Sequence, residues 1–460
     1  MKRFLAMALA LTMCAALGSC GKDSDSSSSK AKSDSSAAAT TAAEDGGSDS
    51  AATTGAEDGS DTPAPAADDT PSGKLLAEYP VNDGAYDVSQ GASENMLGRS
   101  LLNKGDTSRL AAKFQYSLDH PKEIMNVVFL GDSITAGSGS SNGMAYVKQM
   151  EDWLVDTFGF YVMVTNQGIG ATDSYCAVHR ASRDVFELDT GDPDIIVIEF
   201  INDLDNDFYA SVMDSLVRDC LSLESNPAVI LLEPSCDDGS SPQNAHLAVA
   251  QAYDIPFISY HDAIYPEIEA GNFKWSDISG DTVHPNNAGH TIMAQCIINL
   301  FQSTLDEMDS MSEEEKTAKP FDESIEAPFG APFTGAVLGE QSSTDIVKVV
   351  DAGPFTSTAN FQSFLDGWKC SETGTATFEI TAKNIGMLYM KRVGGSQAKL
   401  SVKVDGGDAV IIDGTFPGGW GDFAKADPIY ESDEVATHTV TVEIIEGDGT
   451  QFEILSWLIS

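Results

Sequence analysis

Positive charge is scarce in this chain: 26 Lys and Arg face 71 Asp and Glu over 460 residues, a formal charge of −45. A surface that negative repels phosphate backbones and anionic headgroups, which excludes nucleic acid as a partner and electrostatic docking on a membrane. Cysteine is rare too, with seven residues and no Cys-x-x-Cys pair. Neither a disulfide scaffold nor a structural zinc site is expected. From Lys22 to Gly73 there is no aromatic residue, and almost every position is Ser, Asp, Ala, Thr, Gly or Glu. Such a segment cannot bury enough apolar surface to offset its ordering entropy and reads as a disordered tether. What is present elsewhere is a 42% hydrophobic content, enough for true cores, over a length that suits two folded domains.

Lys2 and Arg3 precede a short apolar stretch, Phe4 to Leu17. It falls short of the ~20 residues a spanning helix needs and reads as a signal peptide. The stretch ends in Leu17-Gly18-Ser19-Cys20, which resembles the bacterial lipobox. That resemblance implies cleavage after residue 19 and lipid attachment at Cys20, giving a cell-surface lipoprotein. An ordinary secretory peptide cut near the same place is the alternative, and both put the protein outside the cytoplasm. With Cys14 removed and Cys20 modified, five cysteines remain, an odd number that implies no full disulfide framework.

From residue 75 to 308, short apolar runs alternate with amphipathic stretches. Strands are expected at Ile124–Leu130, Tyr161–Thr165, Asp194–Phe200, Ala228–Leu232 and Pro256–Ser259. Helices are expected at Met144–Phe158, Thr172–Leu188, Phe208–Leu223, Gln243–Tyr253 and Ala288–Leu305. This pattern predicts an α/β fold, a doubly wound and mostly parallel sheet, with ligands gathered at the carboxyl ends of its strands. An acidic stretch, 309–319, reads as a linker. Beyond it, 320–460 alternates without helical periodicity, at Ala376–Ile380, Met387–Arg392, Ala398–Val404, Ala409–Ile412, His438–Ile445 and Phe452–Leu458. A C-terminal all-β sandwich is expected there.

The first major strand ends in Gly131-Asp132-Ser133, followed by small residues. A serine at a strand end, leading through a glycine-rich turn into a helix, exposes its hydroxyl near a positive dipole end. Of seven histidines, His284 alone lies in a polar loop just before a helix, with Asp281 three residues upstream. A carboxylate at that spacing can orient an imidazole and stabilise its charged form, and Asp281 equally suits turn and cap chemistry. The loop after the second strand, Asn166-Gln167-Gly168-Ile169-Gly170, allows a backbone N–H to approach an oxyanion, and Asn202 follows the third strand.

These blocks, in this order, resemble the SGNH or GDSL hydrolase family over about Asn126 to Leu305. The resemblance implies a serine esterase with Ser133 as nucleophile, His284 as base and Asp281 orienting it. It places the Ser133 N–H, the Gly170 N–H and the Asn202 side chain in the oxyanion hole, with Gly168 as the alternative to Gly170. Phe200 stands where the family has glycine, which implies a reshaped wall of the site.

The fold hosts many activities. Apparent export, polar site loops and a β domain like those of bacterial carbohydrate esterases favour removal of O-acetyl groups from polysaccharide, xylan-like glycans first. The alternatives are a lipase or thioesterase and a non-catalytic glycan-binding protein. Trp275 is a candidate for stacking on a sugar, or for packing on the scaffold, and Trp420 lies in a glycine-rich loop of the β domain. The reaction requires no metal and no cofactor, and a membrane is met only through the lipid anchor. All the proposed chemistry lies between Ser133 and His284, so deleting the β domain is expected to spare the catalytic constellation. The alternative is that this domain packs on the hydrolase core and covers apolar surface, so that its loss lowers stability.

Overall fold

The computed structural model describes residues 69–394, 397–445 and 449–460. The signal peptide, Cys20 and the tether up to residue 68 lie outside the described residues. Folded structure begins inside the stretch assigned to the tether. Helix α1 (Pro71–Glu78) is capped by the Thr70 hydroxyl, and Ser72 donates to Asp262 at 2.6 Å.

Helices α2 (Glu94–Ser100) and α3 (Ser108–Asp119) flank the short strand β1 (Leu101–Asn103). The α/β core then alternates β2 (Met125–Gly131), α4 (Tyr146–Phe158), β3 (Val162–Gly168), α5 (Ser174–Ala181), β4 (Ile195–Glu199) and α6 (Asp207–Leu221). It continues with β5 (Ala228–Glu233), α7 (Gln243–Ala252), β6 (Phe257–Ser259), α8 (Tyr260–Glu269), α9 (Trp275–Ile278) and α10 (Asn287–Met308). The sheet order is β1-β6-β5-β4-β2-β3, parallel except for β1. Every residue of β2, β4 and β5 is buried, as central strands covered on both faces require. Edge strand β3 is only partly covered.

The strand order reverses at β2, which puts the topological switch point between β2 and β4. Register places Gly131 opposite both Gly168 and Glu199. Three strand ends therefore stop level, and the loops that follow them open on one edge.

Two expectations for this domain change. Strand β1 is antiparallel and only three residues long, too short to show a period. The helix expected over Thr172–Leu188 stops at Ala181 and gives way to a wide turn, Ser182–Phe186, where Arg180 and Arg183 both bond Asp184. No helix among the described residues is long and apolar enough to cross a membrane. Cys176, Cys220, Cys236, Cys296 and Cys370 are all free thiols.

The C-terminal part is antiparallel. It contains β7 (Val337–Gly339), β8 (Val347–Asp351), β9 (Phe355–Phe361), β10 (Phe364–Cys370), β11 (Thr375–Val393), β12 (Lys399–Val404), β13 (Val410–Asp413), β14 (Thr415–Phe416), β15 (Phe423–Ile445) and β16 (Phe452–Ile459). The pieces expected at Ala376–Ile380 and Met387–Arg392 are one strand, β11. Two breaks in register against β15 punctuate it, at Ala382/Asn384 and Ile385/Gly386. Such bulges bend a long strand, so that β11 pairs with β8 along one half and with β16 along the other. Trp368, Phe378 and Trp457 stack edge-on within the core of this domain.

The β domain is not separable in the way the motif order suggests. Residues 321–335 run along α6. Arg218 donates to the carbonyls of Glu323 and Ile325, while the Asp214 carboxylate accepts the N–H groups of Phe329 and Ala331. Phe333 packs on Tyr175 at 5.3 Å between ring centres. One apolar cluster contains Tyr175, Val178 and Phe200 from the hydrolase side together with Leu388, Met390, Ala426 and Leu458 from the β side. Chemistry confined to 133–284 in sequence thus rests on a core built from both parts.

Candidate active site

Ser133 follows the end of β2 and heads a run of tight turns, with Ser138 N–H returning to the Ser133 carbonyl at 2.9 Å. The next regular helix, α4, starts only at Tyr146. The expected placement of Ser133 at a helix N-terminus is therefore corrected: a chain of turns exposes the hydroxyl. Gly139 closes that chain with φ of 84°, and a Cβ there would lie 2.3 Å from the Pro285 carbonyl oxygen. This glycine lets the nucleophile turn pack directly on the His284 loop.

Ser133 Oγ lies 2.9 Å from His284 Nε2, and His284 Nδ1 lies 2.8 Å from Asp281 Oδ2. The other Asp281 oxygen accepts the N–H groups of Val283 and His284 at 2.8 and 2.7 Å. Burial alone would raise the Asp281 carboxyl, but these N–H donors and the imidazole outweigh it and hold it below its ordinary range. The carboxylate thus stays charged and fixes the tautomer with the proton on Nδ1, leaving Nε2 to accept the serine proton. Trp275 donates its indole N–H to the Asp281 carbonyl at 2.6 Å and packs on the apolar core, so it braces this loop.

On the other side of Ser133, the loop 168–170 offers two glycines that the structure distinguishes. The Gly168 N–H donates to Asn166 Oδ1 at 2.9 Å, and a Cβ at Gly168 would lie 2.2 Å from Ala136 N. Gly168 is the close-approach residue. The N–H groups of Ser133 and Gly170 have no acceptor among the described residues. A Cβ at Gly170 would sit 3.9 Å from Ser133 Cβ, so this residue lies beside the nucleophile.

Asn202 reaches the same edge, but its amide is engaged. Nδ2 donates to Asp132 Oδ2 at 2.8 Å and to the Thr172 carbonyl at 3.0 Å. The expectation of a free donor is corrected to a brace between the first and second loops, in which an oxyanion would have to take over one hydrogen. Phe200 is fully buried in the shared core and forms no wall of the site.

Sequence reasoning missed the supports beneath. Asp132 accepts from Ile134 N, Ile201 N and Asn202, and Glu199 accepts from Thr135 and shares the Ile201 N–H. Burial pushes both carboxyls up; the Asp132 charge raises Glu199 further, and the Asp203 charge adds to the rise of Asp132. The pair's one visible signal was a Glu ending an otherwise apolar strand. Arg180, fully buried, donates to the carbonyls of Gly131 and Gln167 at 3.0 and 2.9 Å and so ties the ends of β2 and β3 together. His246 is sandwiched between Glu233 (3.0 Å) and Asp203 (3.1 Å). Burial alone would lower this imidazole, but the two carboxylates outweigh it and raise its pKa to about 10. The charged ring locks the residue next to Asn202 to the end of β5. None of these three contacts is local in sequence.

Beside Asn202 opens a cleft of about 630 Å³, lined by Ile201 to Asp205, Cys236, Gly239 to Asn244 and His261. The lining mixes amide, hydroxyl and carboxylate groups with Ile201, Leu204, Cys236, Pro242 and the His261 ring, and it holds no Lys or Arg. Over this edge, an ester carbonyl above Ser133 would meet a hydroxyl already bonded to its base, close to two residues, Ser133 and Gly170, whose N–H groups are free among the described residues. That is the equipment of acyl transfer.

Fold and site together define a serine ester hydrolase. Residues 129–292 match the family described as GDSL-like lipase/acylhydrolase. Among solved structures, a two-domain esterase (CEX) active on acetylated mannans is similar at TM-score 0.68 and 29% identity, covering 78% of this chain and 97% of that one. The same kind of esterase co-crystallised with mannopentaose is similar at TM-score 0.68 and 28% identity, covering 78% and 96%. No curated protein sequence matches.

Proposed function

We propose that this protein is an exported esterase that removes O-acetyl groups from mannan-type polysaccharide. Ser133 is the nucleophile, His284 the general base and Asp281 its orienting partner. The N–H groups of Ser133 and Gly170, with Asn202, hold the oxyanion. The observation that carries this reading is the unbroken hydrogen-bonded chain Ser133–His284–Asp281 at the switch point of the sheet.

The substrate class rests on separate grounds. Similarity to an esterase active on acetylated mannans extends over both domains, which moves mannan ahead of the xylan-like glycans favoured by sequence. The cleft beside Asn202 offers amide, hydroxyl and carboxylate groups that can hydrogen-bond a polyhydroxylated chain, next to apolar surface from Leu204 and Pro242. On the β domain, Trp420 is 64% exposed and stacks on Phe423 at 4.8 Å, a flat apolar face of the kind a pyranose ring covers. The test is acetate release from acetylated mannan, acetylated xylan and a chromogenic octanoate ester. Mannan is expected to be turned over fastest, and a preference for octanoate would overturn the glycan reading.

Export rests on the basic start and the apolar stretch Phe4 to Leu17, and anchoring rests on the lipobox alone. Cys20→Ala removes the acceptor thiol, so metabolic lipid labelling is expected to vanish in that variant. Labelling that survives would rule out the anchor.

A further inference from the structure

The C-terminal domain sends a hairpin to the catalytic edge. Phe361 and Phe364 are a cross-strand pair, so β9 and β10 are joined by a loop of two residues, Gln362 and Ser363. At Gln362 φ is 52°, the left-handed region, at the first central position of a two-residue turn. Glycine is the usual occupant of that position, and a side chain there costs strain. A strained, glutamine-bearing tip on a turn that glycine would close more easily asks for a reason beyond the turn itself.

The surroundings supply one. The point where Gly170 would carry a Cβ lies 3.8 Å from Gln362 Nε2 and 3.9 Å from Ser133 Cβ. The amide thus stands next to the glycine whose N–H is free, on the nucleophile's own edge. Gln362 is exposed, and its amide makes no hydrogen bond among the described residues. The hairpin beneath it is firmly seated. Phe364 is fully buried, Arg183 lies over its ring at 5.5 Å, and Arg183 also donates to the Ser363 carbonyl at 3.3 Å. Arg183 shares Asp184 with Arg180, the residue that ties the ends of β2 and β3. The tip and the oxyanion loop are therefore held by one charged network.

We propose that Gln362 is a substrate-contacting residue supplied by the β domain, whose amide donates a hydrogen bond to the bound ester beside the Gly170 N–H. The proposal rests on the acetylesterase reading and deepens it: the ester site is completed by the second domain. Because the contact is made to the ester group itself, its loss is felt by a small substrate as well as by polysaccharide.

The test compares Gln362→Gly, Gln362→Ala and Gln362→Glu in the full chain on a chromogenic acetate ester and on acetylated mannan. Losing one hydrogen bond to the substrate is expected to lower kcat/KM about tenfold on both for the Gly and Ala variants. Gln362→Glu puts a carboxylate beside a developing negative charge and is expected to lose at least another tenfold. Glycine relieves the left-handed strain, so Tm of Gln362→Gly is expected to be unchanged or raised while activity falls, a combination that a purely structural role cannot produce. Gln362→Gly at wild-type kcat/KM would overturn the inference, as would a loss confined to mannan. Failure of the acetylesterase reading shows differently, as a wild-type protein that releases no acetate.

Discussion

Ser133→Ala and His284→Ala are each expected to lower kcat on an acetate ester by roughly 10⁴-fold or more, and the double variant to be little worse than either. The hydroxyl and the imidazole, 2.9 Å apart, act as one unit, so removing either leaves the other without its partner. Residual turnover comes from the N–H groups of Ser133 and Gly170, which neither substitution removes. Michaelis constants are expected to move little, because the cleft beside Asn202 is untouched. The fold is expected to persist, since both side chains lie at the exposed edge of the sheet, and Tm checks this. Near-normal turnover in Ser133→Ala would assign the nucleophile elsewhere. Additive losses in the double variant would mean that the two residues act in separate steps.

Deleting the β domain after Met308 is expected to abolish activity on the small ester as well as on polysaccharide, by destroying the hydrolase fold. The cut exposes Tyr175 and Val178, buried on α5, and removes the Phe333 ring packed on Tyr175. It also strips the Asp214 carboxylate of its N–H donors at 329 and 331. Uncovering each large apolar side chain costs about 1.5–3 kcal/mol, against a total stability of about 5–15 kcal/mol for a domain. Helix α5 follows directly on the loop that carries Gly170, and Lys425 of the β domain reaches the Asp173 carboxylate at 3.5 Å at that helix's N-terminus. Any fraction that remains soluble is thus expected to have a displaced oxyanion loop. The measurement is soluble yield, Tm and kcat/KM on a chromogenic acetate ester. A stable truncation with full small-ester activity would show that the shared core is dispensable.

The fold class was legible in the residues because it depends on local pattern, and the candidate reacting groups were legible through short motifs that resemble those of a known family. Apolar runs such as 125–131 and 195–199 are continuous only because those strands are covered on both faces. Asp281 and His284 are three residues apart, so their bond is settled within one loop. By contrast, the three-residue β1 is too short for a period, β11 reads as two pieces because bulges interrupt its alternation, and only the His438–Ile445 part of β15 is legible.

What only the tertiary structure decided is how distant groups meet. Whether Gly168 or Gly170 offers a free N–H depends on Asn166 Oδ1 taking up the first. Whether the Asn202 amide is free depends on Asp132, 70 residues away, and whether Trp275 meets sugar or scaffold depends on where the Asp281 carbonyl falls. The union of the two domains was invisible for the same reason. Sequence by itself determines the period of each element and the chemistry each loop carries. The core that contains both Tyr175 and Leu458, and the hairpin that brings Gln362 to Gly170, exist only once the chain has closed, because burial and hydrogen bonding act on atoms near in space, whatever their separation along the chain.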